Sequence, residues 1–489
     1  MQTTLIFRLL LLLGGLLSVT SDAVGQSIDY AIAHVTIINP GSDKAQQDTT
    51  IVIHGHSIAS VLPAKDFNPS PSTKVINGSG KFVIPGLWDM HTHFRDANRD
   101  LKMDIANGVL GVRNMGEAAK IVFSLRDAIA RGQRLGPKIV ACGPIIDGPD
   151  SQVNPQFLIL VKNARQARAA VDSLKKQGSD CVKVHDNISR DSYYAVVEEA
   201  KKVGLPLVGH CPGAIRIREA SDAGQRSIEH GVALWGGSTV ADEFLDKGAD
   251  DSVFEEALRT KNYGLIPAAI ARDGNRLLDH FSQERADATY ALLAKNNTFL
   301  TPTLVTERSL TFIDDLEKAS DPRKQYVSAE DLKWWKPENG MLTKYRTPEY
   351  IAMKKREYAK MLEELPRAQK LGVRLLAGTD ITIPYTFPGF SVHDELGLFV
   401  KAGLTPMQAL ETATTNPALI LGLSQTWGRV EPGYLANLVL LNADPLADIA
   451  NTENIDAVVV NGKFLDRAHL DQMLRDAKLH AVPPKSALH

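Results

Sequence analysis

The chain has 489 residues, with 55 basic and 57 acidic side chains and a formal net charge of -2. That balance, with no basic stripe, argues against a nucleic-acid partner. A 44% hydrophobic and 23% charged composition suits one large globular domain with a smaller companion.

Residues 1–25 predict a secretory signal peptide. One positive charge precedes the short apolar core LLLLLGGLL, and Ala23-Val24-Gly25 offers small residues at a cleavage point. The apolar run is too short to span a bilayer comfortably. The mature protein is therefore expected to be exported, periplasmic or extracellular, without stable membrane insertion. Residues 26–83 alternate in short extended runs broken by Asn39-Pro40-Gly41 and Asn77-Gly78-Ser79-Gly80, which are hairpin signals. Residues 426–470 repeat that style. Two such segments predict a small β-sandwich domain built from both chain ends.

Residues 84–425 follow a different rhythm. Eight short apolar runs end in polar residues: VIPGLWDMHTH, VLGVRNM, PKIVACGPII, DCVKVHD, LPLVGHC, QRSIEHG, NTFLTPTLV and VRLLAGTD. Amphipathic stretches such as ARQARAAVDSLKKQG lie between them and close on glycine. The expected class is α/β, a (β/α)8 TIM barrel. GLIPAAI competes with NTFLTPTLV for the seventh strand. Residues 306–370 form a charged, helix-prone excursion between strands 7 and 8, read either as a lid or as extra packing on the barrel wall. Residues 471–489 are a polar tail expected to fray. The three cysteines, Cys142, Cys181 and Cys211, are an odd count in apolar runs. They are read as small buried core residues and not as a disulfide framework.

The chemistry concentrates at strand ends. In IPGLWDMHTHF, Gly86 permits close backbone approach, and His91 and His93 alternate so that both project from one face of a strand. Two imidazoles in register form half a metal site. Further along, Lys183 lies in strand 4, His210 ends strand 5, His230 ends strand 6 and Asp380 ends strand 8. In a TIM barrel these ends share one mouth.

These motifs resemble the amidohydrolase superfamily. PGLWDMHTHF is similar to its first-strand metal motif, DCVKV to its lysine strand, VGHC and SIEHG to its single-histidine strands, and LLAGTD to its aspartate strand. SVHDELGLFVKAGLTPMQALETATTNPALILGL, followed by GRVEPGYLANLVLLNADPL, resembles the branch with imidazolonepropionase and the Xaa-Pro or Xaa-Lys/Arg dipeptidases. One departure is Asn437, where the family usually carries Asp. The resemblance implies two divalent metal ions, zinc being the expected one. His91, His93 and Asp380 would hold the first ion, and His210 and His230 the second. Lys183, carboxylated to a carbamate, would bridge them. It further implies amide hydrolysis by a metal-bridging hydroxide, with Asp380 as catalytic proton shuttle.

The expected substrate is a small-molecule amide, a dipeptide or an N-acyl amino acid. Arg113 and His185 are candidates to bind its carboxylate, although relatives often carry Tyr at the position of His185. His393 is read as a support behind a metal ligand or as a helix cap near Asp394. Alternative readings are a mononuclear or cyclic amidase, a lactonase or esterase, and a toxin-degrading amidase. An inactive barrel serving as a secreted binding protein is the alternative of another class. A homo-oligomer is compatible with the sequence.

Overall fold

The structure is a computed structural model and describes residues 30–42, 44–151, 153–231, 251–260, 262–340 and 343–481. The expected signal peptide lies outside the described residues. No helix among the described residues is long and apolar enough to cross a membrane.

The N-terminal runs form β1 (Tyr30–Ile37), β2 (Gln46–His54), β3 (Ser57–Pro63), β4 (Lys74–Asn77) and β5 (Phe82–Pro85). Strand β5 passes through Gly86 directly into β6 (Leu87–Thr92). A Cβ at Gly86 would lie 2.7 Å from Leu110, so the close approach expected there is real. β6 pairs in parallel with β7 (Val109–Asn114), and β7 with β8 (Lys138–Ala141).

A second parallel sheet contains β9 (Ile145–Asp147), β10 (Leu158–Leu160), β11 (Val182–Val184), β12 (Leu207–Gly209), β13 (Ser227–Glu229) and β14 (Phe299–Thr301). Its order is β10-β9-β11-β12-β13-β14. β8 and β9 are two halves of the PKIVACGPII run, interrupted at Gly143 with φ +70°. Hydrogen bonds link the two parallel sheets on both sides. Asp180 N–H donates to Ala141 O at 2.9 Å. On the other side, Leu300 bridges to Leu375 and Thr92 to Ile381, which places residues 375–381 between β14 and β6. This parallel α/β arrangement fits a TIM barrel.

The C-terminal run gives β15 (Leu438–Leu441), β16 (Ile455–Val460) and β17 (Lys463–Asp466). β15 pairs antiparallel with β5, so both chain ends share one eight-stranded mixed sheet, ordered β17-β16-β15-β5-β1-β2-β3 with β4 beside β1. Its core gathers Ile32, Ile37, Ile51 and Val83 from one end with Leu438, Leu440 and Val459 from the other. Asn437 is buried, and its Oδ1 accepts the Asn461 N–H at 2.8 Å.

The intervening helices start and stop as their sequences dictate. Ala164–Gln177 begins on an Asn163 cap and ends on left-handed Gly178; Arg190–Val203 begins on Ser189 and ends on left-handed Gly204. GLIPAAI belongs to the helix Leu265–Asp279, which leaves Phe299–Thr301 as the strand. The excursion contains the helices Leu304–Thr311, Ile313–Lys318, Ala329–Trp334 and Pro348–Lys370. Ile313 and Trp335 bury against Tyr385 and Phe387, just beyond Asp380.

Two expectations need correction. The tail does not begin to fray at 471: residues through 480 belong to the helix Arg467–His480. Asp466 caps it, and Leu470 and Ala477 are buried. Cys142 and Cys181 are joined in a disulfide, with Cα atoms 4.5 Å apart. Both are buried core residues, as read, but an odd total does not prevent one pair from forming. Cys211 is the free thiol.

Candidate active site

Each of the four strand-end histidines is anchored through Nδ1. His91 donates to Glu229 Oε2 (3.1 Å), His93 to Gly116 O (2.9 Å) and His210 to Asp186 Oδ1 (2.7 Å). His230 Nδ1 lies 2.9 Å from Thr303 Oγ1. Fixing the proton on Nδ1 leaves Nε2 as a bare acceptor.

The Nε2 atoms of His210 and His230 face each other at 3.0 Å. Nε2 of His91 lies 3.3 Å from Asp380 Oδ1 and 3.4 Å from Lys183 Nζ, and Nε2 of His93 lies 3.5 Å from the same Asp380 oxygen. Lone pairs aimed at one another and at a carboxylate repel unless a cation lies between them. Donor atoms of His91, His93 and Asp380 all fall within 4.8 Å of one another. The arrangement therefore fits divalent ions, with nitrogen and carboxylate donors of the type zinc prefers.

The electrostatics agree. Burial holds the His91 and His210 imidazoles well below their usual range, with Lys183 nearby adding to the effect, so both are neutral, the form able to ligate a metal. Burial also pulls the Lys183 ammonium down to about 8, against the opposing pull of Glu229 and Asp380. Room for its stem comes from Gly209, where a Cβ would sit 2.9 Å from Lys183 Cδ and 2.4 Å from Val184 O. Burial pushes the Asp380 carboxyl up, but its polar neighbours His93, His230 and Lys183 outweigh it and hold it at about 2. His230, Thr303 and Asp380 all adopt positive φ (71°, 47° and 48°) without being glycine. Such strained backbone clusters where side chains must be aimed.

Several contributors were not anticipated. Glu229 carries His91. Asp186 carries His210. Asp89 is buried and accepts from Thr379 N–H at 3.1 Å and from the Thr379 hydroxyl, clamping the Asp380 segment to β6. Glu395 accepts from Leu304 N–H (2.9 Å) and Val305 N–H (2.7 Å), and so fixes the turn next to Thr303. For Asp89 and Glu229 the available signal was a lone charge inside an apolar strand, which demands a partner.

The expected substrate contacts divide. His185 lies at the site's edge, stacked on His210 with ring centroids 4.0 Å apart, and its Nδ1 is 3.3 Å from Asp147 Oδ2. Arg113 does not face the mouth. It is 1% exposed, and its guanidinium donates to Met90 O (2.7 Å), Ser227 Oγ (2.9 Å), Glu229 Oε1 (2.9 Å) and Thr301 Oγ1 (3.3 Å). Four buried partners leave it nothing to offer a carboxylate. His393 neither supports a metal ligand nor caps a helix: Nε2 donates to Asn107 O and Nδ1 meets Thr452 Oγ1, each at 2.9 Å. Its position inside the helix Phe390–Ala402 points it at the barrel's flank.

These donors define a metal-dependent hydrolase acting on carbon–nitrogen bonds. The model of the amidohydrolase family matches residues 82–465, and the chain belongs to that family. It is 22% identical to the imidazolonepropionase of Pseudomonas putida (strain GB-1) over 423 residues, covering 85% of this chain and 93% of that one. A bottromycin amidohydrolase structure superimposes with a TM-score of 0.73 at 23% identity, covering 92% of this chain and 90% of that one. A Xaa-Pro dipeptidase with bound methionine in its active site gives a TM-score of 0.64 at 21% identity, covering 89% and 99%. A further match, 28% identical, spans 21% of this chain and only 28% of a 5-methylthioadenosine/S-adenosylhomocysteine deaminase from Syntrophomonas wolfei.

Proposed function

We propose that the chain is an exported, binuclear amidohydrolase that cleaves the amide bond of a dipeptide or an N-acyl amino acid. Its parallel strands are read as one (β/α)8 barrel and its mixed sheet as the small β-sandwich companion. The observation that carries the reading is the convergence of four Nδ1-anchored imidazoles, Lys183 and Asp380 on one mouth. Export is supported by the disulfide, which persists in oxidising compartments.

His91, His93 and Asp380 would hold one ion, His210 and His230 the other, with Lys183 between them. Bound divalent ions supply a water that ionises near neutral pH and an electrophile for the amide carbonyl. A lysine bridge needs two oxygens, so Lys183 must first lose its proton and take up carbon dioxide. Burial, which lowers its pKa to about 8, favours that step. Asp380, ionised at neutral pH, accepts the proton of the attacking water on a carboxylate oxygen and passes it to the leaving nitrogen. An amide requires this, since an amine anion leaves poorly. His185, beside His210, is placed to orient a substrate carboxylate.

A library of dipeptides, N-acyl amino acids and lactones, assayed with zinc and bicarbonate, tests the reading. Turnover of at least one amide class, abolished by Asp380→Asn, is the expected result. Turnover of lactones alone would overturn the substrate assignment, and no turnover of any member would favour a binding protein.

A further inference from the structure

The end of the strand array opposite the metal donors carries a cavity of about 810 Å³. It lies among the N-terminal ends of the strands, beside Lys138, Asp180, Pro206 and Arg226, and reaches inward to the buried Arg113 and Cys181. That volume is within the range of small-molecule sites.

Its walls are of two kinds. Leu421, Leu423, Trp427 and Leu435 give it an apolar side. Basic side chains also line it. Arg126 is satisfied, holding Asp127 and Asp180 at 2.9 Å each, so those two carboxylates are already taken. Arg226 also lines the cavity and has no carboxylate within ion-pair distance among the described residues, whereas the lining Lys138 and Arg131 are solvent-exposed. Arg226 is half-buried, with its guanidinium 6.0 Å from the Phe299 ring centroid. A half-buried guanidinium without a counter-ion favours an anion that can supply one.

We propose that this cavity is a second ligand site, distinct from the hydrolytic mouth, for a small amphiphilic anion: an apolar body against Leu421, Leu423 and Trp427, and a carboxylate or phosphate head on Arg226. The proposal does not depend on the hydrolytic reading.

Isothermal titration of the mature, zinc-loaded protein with decanoate, decyl phosphate and decanol tests it. One equivalent of at least one anion binds, and decanol binds about tenfold more weakly or not at all. Arg226→Ala weakens the anion about tenfold. Leu423→Trp, which fills the apolar side, removes binding. The comparison of decanoate with decyl phosphate identifies the preferred head. Binding also survives removal of zinc by a chelator, which separates this site from the mouth. No saturable binding of either anion, binding unchanged in both variants, or binding lost with the metal would each overturn the proposal.

Discussion

Replacing Glu229 by Gln separates structural from functional support more sharply than any other single change. Glu229 is fully buried and serves three partners, the Arg113 guanidinium at 2.9 Å, the His91 Nδ1–H at 3.1 Å and the Ser227 hydroxyl. A Gln amide has one oxygen and one NH2 group. It can accept from Arg113 or from His91, but its NH2 then faces the other donor. Leaving the buried Arg113 without its counter-charge costs about 3–5 kcal/mol. Loosening His91 lowers metal affinity about 10–100-fold. Urea unfolding of the metal-free protein reads the first effect, and a competitive zinc titration reads the second. In Arg113→Met combined with Glu229→Gln, no charge is stranded and the amide oxygen can turn to His91. Stability and affinity should then both return in part. A Glu229→Gln protein with wild-type stability and zinc affinity, or a double variant no better than the single one, would refute the reasoning.

Three other outcomes follow from the geometry. Burial pushes His393 down from 6.5 to about 4, so its contribution to stability is complete above pH 6.5 and is lost as pH falls through 4. Wild type should lose up to about 3 kcal/mol relative to His393→Gln between those limits, measured by urea midpoints across pH; parallel curves would contradict this. Opening the Cys142–Cys181 disulfide, which spans 39 residues, by the paired change to Ala should cost about 4 kcal/mol in denaturant unfolding. Gly209→Ala, at φ +125° and against Lys183 Cδ and Val184 O, should destabilise by more than about 1 kcal/mol and reduce bound zinc, read by elemental analysis.

The six polar residues that converge on the mouth were legible in the sequence because strand ends converge: the alternation of His91 and His93, together with single polar residues within or closing later apolar runs, points to them without a structure. The helix stops at Gly178 and Gly204 were legible for similarly local reasons. What escaped was relational. Arg113 and Glu229 each look anomalous in their own strands, yet only folding shows that they neutralise each other, which is why Arg113 was misread as a substrate contact. The Cys142–Cys181 pairing depends on β8 lying next to the start of β11, a neighbour relation that residue counting does not contain. His393 drew attention through a charged-looking motif, but its partners Asn107 and Thr452 are remote in the chain. The helix through residue 480 was hidden by polar composition; it is held by the buried Leu470 and Ala477, with Met473 and Leu474 packed beside them.

The central claim is that one mouth traps a pair of cations. Crystals grown with zinc and bicarbonate, measured at the zinc absorption edge, address it directly. The account predicts two anomalous peaks, one against His91, His93 and Asp380 and the other against His210 and His230, with density extending from Lys183 Nζ between them. A single peak with an unmodified Lys183, or zinc bound elsewhere on the chain, would contradict it.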